Sequence, residues 1–185
     1  MKYMLNFLYQ IFLTINATSL IIVVFMIKEH TVIPFFSNYP NWVSSAIFIF
    51  IPVILTHISL FQTRYLSNDN VGGNIKDIEQ ANNTFLPSYL GYFFVALSVS
   101  DWETLIFVFT ILFVFTYFSQ TLYFNPLFLL FRYHFYYITS ENNVKIFLIS
   151  KKQIRNAKGL SFPNLKRINN FTYIDVGGEN ESFNS

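Results

Sequence analysis

The sequence predicts a mainly α-helical membrane protein: four transmembrane helices and a small β-containing cytoplasmic C-terminal module. Three observations carry this. The first is composition. Among 185 residues, 24 Phe, 12 Tyr and 2 Trp make about a fifth of the chain aromatic, and only 12% is charged, roughly half the usual globular share. Mean hydropathy is +0.40. A soluble domain of this size cannot cover so many Phe side chains, whereas lipid can solvate them. The second is the spacing of charges. Uncharged stretches of 25, 34, 21 and 28 residues separate Lys2 from Lys28, Glu29 from Arg64, Glu79 from Asp101 and Glu103 from Arg132. The third is their sidedness: 11 of the 12 Lys and Arg residues fall on one side.

A helix needs about 20 residues to cross about 30 Å of hydrocarbon. The four stretches predict spans at about 4–27, 41–62, 84–100 and 103–124. The first has a basic start at Lys2, but its apolar run is too long for a signal peptide. Met26-Ile27-Lys28-Glu29 follows it in place of a small-residue cleavage site, so it reads as an uncleaved anchor. Pro52 predicts a kink in the second. The third is interrupted by Pro87, Ser88, Gly91 and Ser98, with Pro87 suited to a first helical turn. Residues 1–131 therefore form the transmembrane domain, and 132–185 the cytoplasmic module.

Four crossings put the N-terminus, the 63–83 loop and the tail on one side. Eleven of the 12 Lys and Arg residues fall there, and only Lys28 falls opposite. Short-loop Lys/Arg bias sets orientation, so both termini are expected in the cytoplasm. The 63–83 loop reads as polar, with a turn around Asn68-Asp69-Asn70-Val71-Gly72-Gly73. In the tail, two β-rich runs, 135–138 and 144–149, flank Glu141-Asn142-Asn143, the composition of a hairpin. A short helix is expected over 151–158 and a third strand over 171–176. A module of 54 residues is near the lower limit for a self-sufficient core, which predicts support from the bilayer, sister copies or a partner.

The sequence lacks the residues for several chemistries. It has no Cys, which excludes disulfides, thiol catalysis and Cys-ligated zinc, and its three His, at 30, 57 and 134, have no ligand spacing. No nucleotide-binding or hydrolase motif occurs. No catalytic residue, cofactor or metal is expected, and the chain reads as a non-enzyme. Four features remain as candidate sites. Asn16 lies in mid-span one, where an amide wants an interhelical hydrogen bond worth about 1 kcal/mol, and is a candidate oligomer contact. His57, beside Thr56, Ser59 and Gln62, is a candidate intramembrane polar site; it reads as a neutral His bonded to a neighbouring helix, since no span holds an acid to complete a proton relay. Asp101, Trp102 and Glu103 form the outer hairpin; they suit a helix start or an outer sensor. Lys151, Lys152, Arg155 and Lys158 form a basic stripe, with 151, 155 and 158 on one helical face; it reads as a solvated face that follows the positive-inside bias, or as a contact for an acidic partner or anionic lipid. The module's net charge of +4 (eight basic, four acidic) and its lack of a stacking platform argue against direct nucleic-acid binding. Phe147, Phe171 and Tyr173 are anchors if exposed, and otherwise core.

The layout, together with Arg132-Tyr133-His134-Phe135-Tyr136-Tyr137-Ile138, Val144 to Lys152, Ile154-Arg155 and Phe171-Thr172-Tyr173-Ile174-Asp175, resembles KwaA, the membrane subunit family of the Kiwa antiphage defence system. The resemblance implies a homo-oligomer, a tetramer, in the inner membrane. It implies detection of envelope disturbance and a hold on a cytoplasmic DNA-binding effector, KwaB. It carries over no site residues. The alternative reading is a small oligomeric ion channel or pore-forming effector, and a third is an accessory subunit of another membrane complex.

Overall fold

The computed structural model of the chain describes residues 2–69, 75–119, 125–155, 157, 160, 162 and 164–177. Eleven regular elements follow in order among them: α1 (Lys2–Lys28), α2 (Asn41–Gln62), β1 (Asn68–Asp69), β2 (Ile75–Gln80), α3 (Leu86–Ser98), α4 (Trp102–Ser119), α5 (Leu127–Leu130), β3 (His134–Ser140), β4 (Lys145–Ser150), β5 (Leu165–Arg167) and β6 (Thr172–Asp175). They form two compact units. One holds Ile11–Leu60 and Phe85–Leu127; the other holds Met1–Gln10, Phe61–Thr84 and Phe128–Ser185.

The first unit is helical. Helices α1, α2 (with the turn after it) and α4 are long and apolar enough to cross a membrane. Ile21 and Phe25 of α1 pack with Tyr89, Tyr92 and Ala96 of α3 and Leu105 of α4. The Phe25 and Trp102 rings meet edge to face at 4.9 Å, and Tyr92 and Thr116 share a hydroxyl hydrogen bond of 3.0 Å. The outward faces are as apolar as the core. Phe50, Ile54, Phe94, Phe107, Phe115 and Phe118 are all more than half exposed. Exposed apolar surface on this scale suits lipid rather than water.

The third expected span, 84–100, is a helix of only 13 residues, about 20 Å long at 1.5 Å per residue against about 30 Å of hydrocarbon. Pro87 fixes its first turn, and Val99 turns extended at its C-cap. Three spans of sufficient length are therefore present among the described residues, rather than four. For the fourth expected span, residues 120–124 lie outside the described residues.

The second unit is a six-stranded mixed sheet in the order β1-β5-β6-β4-β3-β2. The β3–β4 hairpin pairs Phe135 with Ile149 and Tyr137 with Phe147. Its turn places Asn143 at φ 58°, a left-handed conformation that Asn tolerates. Parallel pairing of β4 with β6 and antiparallel pairing of β6 with β5 complete the centre. One face carries Tyr136, Ile138, Ile146, Leu148, Leu165 and Tyr173. The other stacks Phe135 on Phe147 at 5.7 Å and tilts Phe128 of α5 against Phe135 at 6.2 Å.

Two sequence expectations are corrected here. The 63–83 segment is more than a loop with a turn: β1 pairs with β5 and β2 with β3, so it supplies both edges of the tail's sheet. The turn residues Asn70, Val71, Gly72 and Gly73 lie outside the described residues. The helix expected over 151–158 is also absent from 151–155. There the Tyr136 hydroxyl donates to the Lys152 carbonyl (3.0 Å) and accepts from the Ile154 N–H (3.1 Å). These bonds satisfy backbone groups that a helix turn would otherwise use. β5 is an additional strand that the sequence reading did not anticipate.

Candidate functional site

Two groups of residues concentrate polar chemistry, one in each unit. In the helical unit, Asn16 is 1% exposed and Thr56 is fully buried. The Asn16 amide donates to Thr56 Oγ1 at 3.0 Å. Asn125 donates to the same oxygen at 3.0 Å. The Thr56 hydroxyl in turn donates to the Pro52 carbonyl one helical turn back, at 2.8 Å. Asn125 Oδ1 accepts from the Leu127 N–H at 3.0 Å, an Asx turn that opens α5. A threonine hydroxyl thus ties α1, α2 and the segment before α5 within one chain. Asn16, singled out above as an oligomer contact, makes its hydrogen bond inside the protomer. His57, next in sequence to this hub, sits on the exposed side of α2. Asn125 was missed by the sequence reading; its signal was a carboxamide at the end of an uncharged stretch.

In the hairpin, Asp101 forms the start of α4. Its carboxylate accepts from the Thr104 N–H (2.8 Å), the Thr104 hydroxyl (2.9 Å) and the Ser100 hydroxyl (2.7 Å). The Thr104 backbone bond is the main cause of a carboxyl pKa below the ordinary Asp value. Trp102 and Glu103 are exposed beside it. The arrangement is that of a helix N-cap. Lys28, across the same end of the unit, donates to the Val99 carbonyl and pairs with Glu29 at 3.4 Å.

In the sheet unit, the basic residues that a helix would have aligned have separate settings. The Lys151 ammonium lies 5.3 Å from the Tyr133 ring centroid, and the Lys152 ammonium 5.8 Å from that of Phe162. Arg155 is exposed, and Lys158 lies outside the described residues. Burial raises the Tyr136 hydroxyl above its ordinary range, so it stays neutral as the clasp of this segment. Phe147 and Tyr173 are core, whereas Phe171 is 57% exposed. The Asp175 carboxylate, 1% exposed, accepts from Ser150 at 3.0 Å and from the Gly177 N–H at 2.9 Å, and so locks β6 to the end of β4. No cluster of three or more His, Asp or Glu residues occurs among the described residues.

A family model described as "Anti-phage protein KwaA" matches residues 9–174, which includes α1 from its third turn and the sheet up to the last residue but one of β6. No curated protein matches the chain, and no solved structure does.

Proposed function

Since the chain belongs to the KwaA anti-phage protein family, we propose that it is an inner-membrane sensor and scaffold, which responds to envelope disturbance and holds a cytoplasmic effector, KwaB by family resemblance. The single observation that best supports this reading is the way the sheet is assembled. β1 and β2 precede α3, β3 to β6 follow α4, and all six strands share one sheet. Backbone pairing needs both segments on the same side of a bilayer. If α4 crosses, α3 and its flanking residues must cross back. Likewise Asn6, at the start of α1, donates to the Arg167 carbonyl at 3.2 Å, so α1 and α2 cross as a pair. Parity thus favours four crossings in spite of the short α3, with the sheet on the Lys/Arg-rich side.

On that side the sheet unit is the largest surface available to a protein partner. Phe171 offers an exposed aromatic anchor, the residue type that carries binding energy at interfaces. Lys151, Lys152 and Arg155 add a basic rim that tunes association rate and salt response. A homo-oligomer, a tetramer by resemblance, belongs to the same proposal.

The test is co-purification of the effector with full-length chain. Removing 132–185 would strip β1 and β2 of their partners, so point variants are the cleaner tool. Lys151→Glu, Lys152→Glu and Arg155→Glu together with Phe171→Ala should reduce effector retention and phage protection while the chain still reaches the membrane. Full retention and full protection by that variant would remove the docking assignment.

A further inference from the structure

The sheet unit contains a half-open cavity, lined by both polar and apolar groups, that the proposed docking role does not use. Its volume is about 540 Å³, within the range of small-ligand sites. The first turns of α1 (Asn6, Phe7, Gln10), the β1 strand with Ser67, and the end of β5 with the turn after it bound the cavity. Three features of its wall define what fits.

The first is a loosely closed ion pair. Arg167 Nη1 lies 3.6 Å from Asp69 Oδ2, with the side chains 42% and 30% exposed. That is longer than the 2.7–2.9 Å of a charge-assisted hydrogen bond. Arg167 is steadied by the Asn170 side chain at 2.8 Å and the Asn169 carbonyl at 3.3 Å. The cavity therefore presents one cation and one anion side by side.

The second is an unmet acceptor. The Asn6 amide nitrogen donates to Ser67 Oγ at 3.1 Å and to the Arg167 carbonyl. Its Oδ1 is buried and has no hydrogen-bond partner. A buried acceptor without a donor is costly, and a ligand N–H would satisfy it.

The third is the apolar setting. Phe7 forms part of the wall, and Met4 (61%), Phe7 (50%) and Leu8 (53%) are exposed on the same turns of α1. These are the first turns of a helix long and apolar enough to span a membrane, the level at which lipid headgroups lie.

We propose that this cavity binds the headgroup of an aminophospholipid. The phosphate sits on the Arg167 guanidinium, which presents a fork of N–H donors to oxyanions. The primary ammonium sits against Asp69 and donates to Asn6 Oδ1. The acyl chains lie along Met4, Phe7 and Leu8. A quaternary ammonium head has no N–H for Asn6, and an anionic glycerol head has no cation for Asp69. The site therefore selects phosphatidylethanolamine over phosphatidylcholine and phosphatidylglycerol. Such a site would make the packing of the sheet against α1 sensitive to the lipid at the cytoplasmic surface.

This rests on the membrane reading above, and the experiment separates the two. Full-length chain is recovered from membranes, placed in nanodiscs made from equal parts of the three lipids, and released lipid is counted by native mass spectrometry. The expected result is preferential retention of phosphatidylethanolamine. Arg167→Gln should lower that retention about tenfold, the effect of losing one charged hydrogen-bonding partner. Asp69→Asn should lower it while sparing phosphatidylglycerol, which serves as the control that the variant is folded. Equal retention of all three lipids, or retention unchanged in both variants, would overturn the proposal and leave the membrane reading intact. Absence of the chain from membranes would remove both. Displacement by soluble glycerophosphoethanolamine as effective as by the lipid would overturn the lipid source in favour of a free phosphoester.

Discussion

Replacing Thr56 with Val removes one hydroxyl and keeps the side-chain shape. In the wild-type chain that oxygen accepts from Asn16 at 3.0 Å and from Asn125 at 3.0 Å. The variant leaves two buried amide donors without an acceptor. Interhelical hydrogen bonds in membrane proteins contribute about 0.6 kcal/mol each on average and about 1.7 at most, so Thr56→Val should cost about 1–3 kcal/mol. Asn16→Leu removes only one of the two bonds and should cost about 1 kcal/mol. Because both bonds converge on a single atom, the substitutions are coupled: Asn16→Leu should cost clearly less in the Thr56→Val background. Denaturant titration of the purified chain in mixed micelles, followed by Trp fluorescence, reads these differences. The contacts lie within one protomer, so the loss should not depend on protein concentration. Wild-type stability in Thr56→Val, strict additivity of the pair, or a loss that disappears on dilution would refute the intrachain hub.

Two further outcomes follow from backbone and capping geometry. Arg132 closes α5 at φ 62°, with the Tyr133 N–H returning to the Phe128 carbonyl at 3.1 Å. A non-Gly residue there costs about 1 kcal/mol, so Arg132→Gly should raise thermal stability by a similar amount in differential scanning measurements. Asp101→Ala should lower the melting temperature at neutral pH. The folded carboxyl titrates below its unfolded value, so its stabilisation is present above the unfolded pKa and fades as pH falls through the folded one. The gap between variant and wild type should therefore close below about pH 4.

The charge-free stretches located α1, α2 and most of α4, because excluding charge from hydrocarbon is a constraint that sequence displays directly. The β3–β4 hairpin was legible for a similar reason: Glu141-Asn142-Asn143 separates two β-branched and aromatic runs. The edge strands were not. Ile75 to Gln80 is half charged and amide-bearing, and its partners in β3 lie about 60 residues away, so no local pattern marks it as a strand. Its exposed Lys76, Asp77 and Glu79 are what a sheet edge carries to discourage further pairing. Lys151 to Lys158 looked helical from charge spacing, but Tyr136 on a neighbouring strand captures the backbone of 152 and 154. Of the candidate sites, Asn16 was visible as an amide in an apolar run, whereas its bond to Thr56 was not. The cavity at Asn6, Asp69 and Arg167 joins three segments far apart in the chain, which no spacing rule connects.

The proposed role requires both halves of the sheet to lie on the cytoplasmic side of four crossings. The chain contains no Cys, so single cysteines can be placed at Asn38, Lys76, Ser100 and Asn143 and labelled in intact cells with a membrane-impermeant maleimide. Asn38→Cys and Ser100→Cys should label from outside, while Lys76→Cys and Asn143→Cys should label only after permeabilisation. Labelling of Lys76→Cys and Ser100→Cys from the same side would mean that α3 does not cross, and would contradict the four-crossing topology.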